Sequence, residues 1–195
     1  MQVQKHARIA NIRKLSRYFL FLVVAMMFMT GGGGFVLSLM IAFGPIGDLT
    51  LTGFLVKSTV QDGGYFALLL SGMTVELKVI SVIAVVSFFA MIEFILIHTN
   101  QLLTCFYEGE IFNKKAVFHA KKVFNFNLIL VGGGICIDFL SIILSCLNPD
   151  LGGSREVGRF IGGTIDQLVW IGFFLLLLWS LEIGVDLNEE AELTI

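Results

Sequence analysis

Charge is scarce in this chain: Asp, Glu, Lys and Arg make up 14% of its 195 residues, against 56% hydrophobic. A soluble domain carries nearer a quarter charged residues, so the composition points to one membrane domain over residues 1–195 with no second folded unit. The formal net charge of −2 gives no basic surface for nucleic acid. Cysteine is also sparse, with three residues. Cys136 and Cys146 fall on one predicted helix about 15 Å apart, too far to bond, so a disulfide framework is excluded and the three thiols read as packing residues. Cys105 sits beside the membrane, where reversible acylation is chemically open. No Gly-Lys-Ser/Thr follows the glycine runs, which excludes a phosphate loop. No nucleophile–base set or metal-ligand spacing appears either. The expectation is therefore a protein that is not an enzyme and has no cofactor or metal.

What the chain has is long apolar runs. Residues 79–103 are apolar except for Glu93, His98 and a few small or amide side chains. Residues 123–147 are apolar except for Asp138, Asn125 and Asn127. Each run has about the 20 residues a helix needs to cross a bilayer core, and a helix satisfies its own backbone there. Between them lies a basic loop, so the pair reads as a transmembrane hairpin with a cationic turn.

Before the hairpin, residues 1–17 carry Lys5, Arg8, Arg13, Lys14 and Arg17, and residues 18–43 run apolar through Gly31, Gly32, Gly33 and Gly34. A basic start and an apolar run also describe a signal peptide. This run is too long for one and lacks an Ala-x-Ala-like site, so it reads as an uncleaved first span. Gly44-Pro45 ends it. Residues 46–78 mix the Asp62-Gly63-Gly64 turn signal with apolar pieces such as 65–70, and predict an outer cap of short helices or strands. A fourth span covers about 162–184, with Trp170 and Trp179 at interface depths. The fold class is thus all-α: an integral membrane four-helix bundle with an extracytoplasmic loop cap. Nine basic residues lie on the side of the N-terminus and the 104–122 loop; Lys57, Lys78, Arg155 and Arg159 lie on the other. That bias places both termini in the cytoplasm.

Two short motifs resemble a known family. Phe106-Tyr-Glu-Gly109-Glu-Ile-Phe112-Asn113, followed by a basic helix start, resembles a pattern of the YoaS-like family of uncharacterised small bacterial four-span membrane proteins. The stretch Glu182-Ile-Gly184-Val-Asp-Leu-Asn-Glu-Glu190-Ala-Glu192-Leu-Thr-Ile195 resembles that family's acidic ending. The resemblance implies a bacterial inner-membrane location, no activity to carry over, and pairing with a cytoplasmic helix-turn-helix factor.

Glu93 and Asp138 are the sharpest candidates for chemistry, because intramembrane carboxylates cost at least about 2.5–3.5 kcal/mol to insert. Counting along the helices puts Glu93 about 15 Å and Asp138 roughly 23 Å from their cytoplasmic ends. A shared polar pocket with Ser87, Ser141 or Ser145 is easier than a direct pair. A protonatable relay is one reading, and acids bonded to a neighbouring helix or subunit are the more frequent one. His98 and His119 read as polar interface histidines, because neither has ligand companions nearby in sequence. The first glycine run and Gly132, Gly133 and Gly134 read as close helix packing, with a locally unwound, ligand-lining segment as the alternative. Lys114, Lys115, Lys121 and Lys122 face Asp186, Glu189, Glu190 and Glu192 as the two sides of a cytoplasmic partner surface. Two function classes follow: an interaction protein, either a regulatory partner or an accessory subunit, with the lipid bilayer and a protein or second copy as partners; or a small transporter or channel using Glu93 and Asp138. A membrane enzyme ranks last.

The lysine and arginine asymmetry generates a first prediction. A cytoplasm-active reporter fused after residue 195 gives signal, and a reporter active only outside the cytoplasm stays silent there. The opposite pattern reverses the topology.

Overall fold

The structure is a computed structural model and describes residues 2–51, 53–54, 72–147 and 153–193, the side chains at 2–10, 141, 144–147, 153–159 and 192–193 excepted. Four long helices dominate: α1 (Gln2–Phe43), α2 (Val75–Glu108), α3 (Lys114–Leu147) and α4 (Gly153–Leu193), with one short strand, β1 (Ile46–Leu49). The fold is all-α, as expected. Each helix contains a stretch long and apolar enough to cross a membrane: Asn11–Phe43, Val75–Glu108, Lys114–Leu140 and Phe160–Ala191. The side chains agree with a lipid solvent. Phe21, Phe28, Met29 and Phe43 are 76–85% exposed, an arrangement that water would penalise.

Every helix runs past the apolar stretch that announces it. Hydropathy marks only the part that fits hydrocarbon; where the helix stops is decided by its caps. At the start of α2, Thr74 is the N-cap: its Oγ1 accepts from Leu77 N–H at 3.4 Å and its carbonyl from Lys78 N–H at 3.0 Å. Lys78, which the apolar pattern leaves in the outer loop, is therefore inside the helix. Its side chain is buried, and its ammonium donates to the Gly44 carbonyl just past the end of α1, a common use of lysine at a helix C-terminus.

The chain divides into two compact units, and each helix contributes to both. One comprises Met1–Thr30, Met91–Leu128 and Val169–Ile195. Its buried side chains include Val23, Leu96, Cys105, Ala116, Leu178 and Val185. The other comprises Gly31–Ala90 and Ile129–Leu168, with Ile41, Met73 and Leu77 buried. In that second unit β1 pairs with Met73 in parallel bridges, through Leu49 N–H to Gly72 O and Thr74 N–H to Leu49 O, both 3.1 Å. Gly47 lies against the Gly72 backbone so closely that a Cβ on it would overlap. Also there, Phe139 and Phe160 meet with ring centroids 6.4 Å apart.

The described part of the 46–78 segment thus holds a strand and a helical turn closed by Phe54 N–H to Thr50 O at 2.8 Å. The 62–64 turn signal, the 65–70 piece, Lys57 and the 148–152 loop lie outside the described residues. So do the side chains of Lys5, Arg8, Ser141, Ser145, Cys146, Arg155, Arg159 and Glu192.

Both glycine runs are continuous helix, without a local unwinding. They differ in surroundings. A Cβ on Gly34 would overlap the Phe89 ring of α2, whereas at Gly32, Gly33, Gly132, Gly133 and Gly134 it would meet nothing within 4 Å. Gly31 is exposed. Replacing Gly34 by Leu should therefore destabilise the chain by about 1–3 kcal/mol through overpacking. Gly33→Leu, one residue away, should stay within about 0.5 kcal/mol. Thermal unfolding in detergent distinguishes them; equal midpoints would show that the Gly34–Phe89 contact is not needed.

Candidate functional site

The Phe106–Asn113 motif is a pair of helix caps joined by a tight turn. Gly109 has φ +90°, a conformation that glycine adopts without a Cβ clash. Its N–H donates to Phe106 O at 3.2 Å, and Glu110 N–H donates to Cys105 O at 2.9 Å. These two bonds are the Schellman closure of α2. Four residues later Asn113 caps α3: its Oδ1 accepts from Lys115 N–H at 3.0 Å, its carbonyl from Val117 N–H at 3.2 Å, and its Nδ2 donates to Glu110 Oε2 at 3.1 Å. Arg13 of α1 donates from Nη2 to Glu108 O at 3.1 Å. A cation thereby meets the negative end of α2.

The second motif lies against the first. The Phe112 ring covers Gly184 of α4 so closely that a Cβ there would overlap it. Beside this contact, Lys114 pairs with Glu189 at 2.8 Å and Lys121 with Glu182 at 2.6 Å. Two lysines seven residues apart on α3 thus meet two glutamates seven residues apart on α4, the register of antiparallel helices in contact. The side chains are 31–77% exposed, so each pair contributes about 0–1 kcal/mol. Glu182 begins the acidic stretch read from sequence but is not among its charges singled out there; the matching seven-residue spacings are the signal that could have found its pairing with Lys121.

Among the described residues, concavities around this junction include the following two. An open cleft of about 420 Å³ is lined by Lys114, Val117, Phe118, Lys121, Glu182, Val185 and Asp186. An apolar one of about 530 Å³ includes Phe106, Phe112, Phe124, Phe174 and Leu178 in its walls. Lys115, Asp186 and Glu190 are exposed, and Lys122 lies 5.6 Å from the centroid of Phe118. The Glu192 side chain is outside the described set.

The intramembrane polar residues sort differently from their spacing in sequence. Glu93 and Asp138 fall in different units. Glu93 meets the Thr30 hydroxyl of α1, which also lies 2.9 Å from Met26 O. A hydroxyl has one proton, so Thr30 either donates to a Glu93 carboxylate or donates to its own helix while accepting from a carboxylic acid. Asp138 is exposed on α3 and makes no hydrogen bond or ion pair with another described residue. Ser87 is also exposed. His98 and His119, read as separate interface histidines, are partners: their Nδ1 atoms are 3.2 Å apart, and His98 Nδ1 is also 3.2 Å from Gln101 Oε1. A separation of 21 residues hides this pair from any local motif. Among the described residues no three His, Cys, Asp or Glu side chains gather to hold a metal. Cys105 is 1% exposed, which denies an acylating enzyme access to its thiol in this fold.

No protein-family model, curated protein or solved structure matches the chain.

The turn geometry makes a direct test possible. Gly109→Ala forces a Cβ into the left-handed region and should cost roughly 1–2 kcal/mol, read as a lower unfolding midpoint in detergent. Gly172, in α4 with open space around it, is the control site for a glycine-to-alanine change. A midpoint unaffected at Gly109 would mean that the turn does not need its positive φ.

Proposed function

We propose that this chain is a non-enzymatic interaction protein of the bacterial cytoplasmic membrane, with both termini inside. It acts as a regulatory partner or accessory subunit through the face built from residues 106–122 and 182–195. The observation that carries this reading is the Phe112–Gly184 contact. Two motifs some seventy residues apart in sequence are held as one surface, and they are the two that resemble the YoaS-like family. The ion pairs add register at little energy. Packing of apolar helices is enough to hold the bundle, so the charges are better explained as a means of keeping a surface ordered. Charge complementarity at such a surface sets partner choice and on-rate. The partner proposed from the resemblance is a cytoplasmic helix-turn-helix factor, bound as a protein and not through its nucleic acid. Transport through Glu93 and Asp138 gains no observation in its favour.

The test is affinity purification from native membranes with four variants: deletion of residues 188–195, Gly184→Leu, the charge reversal Lys121→Glu, and the same reversal with its compensating Glu182→Lys. Membrane insertion is measured alongside. The expected result is intact insertion with partner recovery lowered about tenfold, equivalent to about 1.4 kcal/mol, in the deletion and in Gly184→Leu. Lys121→Glu alone should also lose recovery, and the double reversal should regain it. Recovery of the same partners by all variants at wild-type level would refute the docking role.

A further inference from the structure

Below the turn, α2 and α3 are closed by the two imidazoles. His98 lies ten residues before the end of α2, and His119 lies five residues after the start of α3. His119 is buried, 8% exposed. Aromatic rings surround the pair. Phe126 stacks on His98 at 6.3 Å and on Phe94 at 5.6 Å, while Phe118 stands edge-on to His98 at 6.5 Å and to His119 at 5.3 Å.

Two nitrogens 3.2 Å apart are bonded only when one proton lies between them, because an imidazole nitrogen either donates or accepts. Gln101 Oε1 can only accept, so the arrangement that satisfies both contacts puts the proton on His98 Nδ1, shared between Gln101 Oε1 and His119 Nδ1. His119 then keeps its own proton on Nε2. A further proton can enter on His98 Nε2 without breaking the contact, and it strengthens the bond by charging the donor. The next proton has no such place. It would sit on His119 Nδ1, facing an existing N–H, with two positive rings in a buried aromatic setting. The contact must then open.

The surrounding charges do not remove this constraint. On α3, Lys115 acts electrostatically on His119, and Lys122 lies over Phe118. On α2, Glu93 is engaged by Thr30 of α1, and Gln101 is neutral. On α4, Glu182 and Glu189 are engaged by Lys121 and Lys114. Among the described residues, no titratable side chain of α1 or α4 forms a hydrogen bond or ion pair with either ring.

We infer that His98 and His119 form a single proton-binding site that takes up one proton with the hairpin closed and opens it on taking up the second. As a coupled pair, the two steps belong to the site rather than to either ring. The turn at 109–113 joins the two helices that the pair closes, so opening loosens the surface proposed for docking. That consequence rests on the proposed function; the proton site does not.

The experiment uses the full chain, labelled with ¹⁵N-histidine, in nanodiscs of phosphatidylethanolamine and phosphatidylglycerol. It is titrated from about pH 8 to about pH 5, the range that brackets free histidine. The expected result is that both imidazoles respond in the same two steps. In the second step, amide exchange at residues 105–116, corrected for its intrinsic pH dependence, rises at least about tenfold, as a loss of local stability of about 1.4 kcal/mol requires. His98→Gln and His119→Phe should each leave a single-step titration at the remaining ring and no second-step rise in exchange. The second variant fills the aromatic setting, so one of the two remains informative if the other fails to insert. Independent titration of the two rings in the wild type, or a rise in exchange that survives both substitutions, overturns the inference. Partner recovery at the two ends of the titration separates the claims: loss of pH dependence there, with coupled rings and a loosening turn, counts against the docking role and leaves the proton site standing.

Discussion

Backbone groups at the end of a helix have no partner within it, and a bilayer offers little water to replace one. The way this chain seals its helix ends decides most of its other features. Thr74 and Asn113 supply side-chain oxygens to the first turns of α2 and α3. Gly109 lets α2 close on itself by adopting a φ that a Cβ would resist. Lys78 and Arg13 donate to carbonyls at the ends of α1 and α2. Two of these devices use charged side chains from another helix, so sealing an end also ties two helices together. The turn between α2 and α3 is short because both caps are built from adjacent residues. Its shortness is what delivers Phe112 to Gly184.

The energies rank these contributions. Two exposed ion pairs supply about 0–1 kcal/mol each, and a single cap about 1 kcal/mol. Neither compares with the apolar surface that keeps four helices in lipid. Yet that apolar surface has little positional information: most large side chains face outward, and lipid tails are as apolar as leucine. Position is set by the few places where the side chain is missing or polar. Gly34 admits Phe89, Gly184 admits Phe112, and Thr30 meets Glu93. A small number of weak but directional contacts thus determines which helix faces which, while hydrophobicity determines only that there are helices at all.

The polar residues in the spans illustrate the same division. A carboxylate in an apolar run is conspicuous in any sequence, and Glu93 and Asp138 stand out for that reason. What each one does depends on its neighbour. Glu93 has a hydroxyl from α1, and Asp138 has no described polar partner. The histidines show the converse. Neither is conspicuous alone, and together they form the closest approach of two titratable rings among the described residues.

The number of helices, their approximate spans, the basic turn and the acidic character of α4's last turns were legible in the sequence. Hydropathy and charge are additive along a chain and need no knowledge of its path. The full helix lengths were not legible, because caps such as Thr74 and the Gly109 turn act over one turn of backbone and leave hydropathy unchanged. Lys78 was misplaced for the same reason: a lysine reads as solvent-facing until a carbonyl, here that of Gly44, is brought to it. The joining of Phe112 to Gly184, of His98 to His119 and of Glu93 to Thr30 was decided by tertiary structure alone. Each is a contact between residues at least 21 positions apart, and its existence depends on the rotation of one helix about its axis relative to another. A rotation of one residue, about 100°, would abolish the contact without changing a single letter of the pattern from which the helices were read.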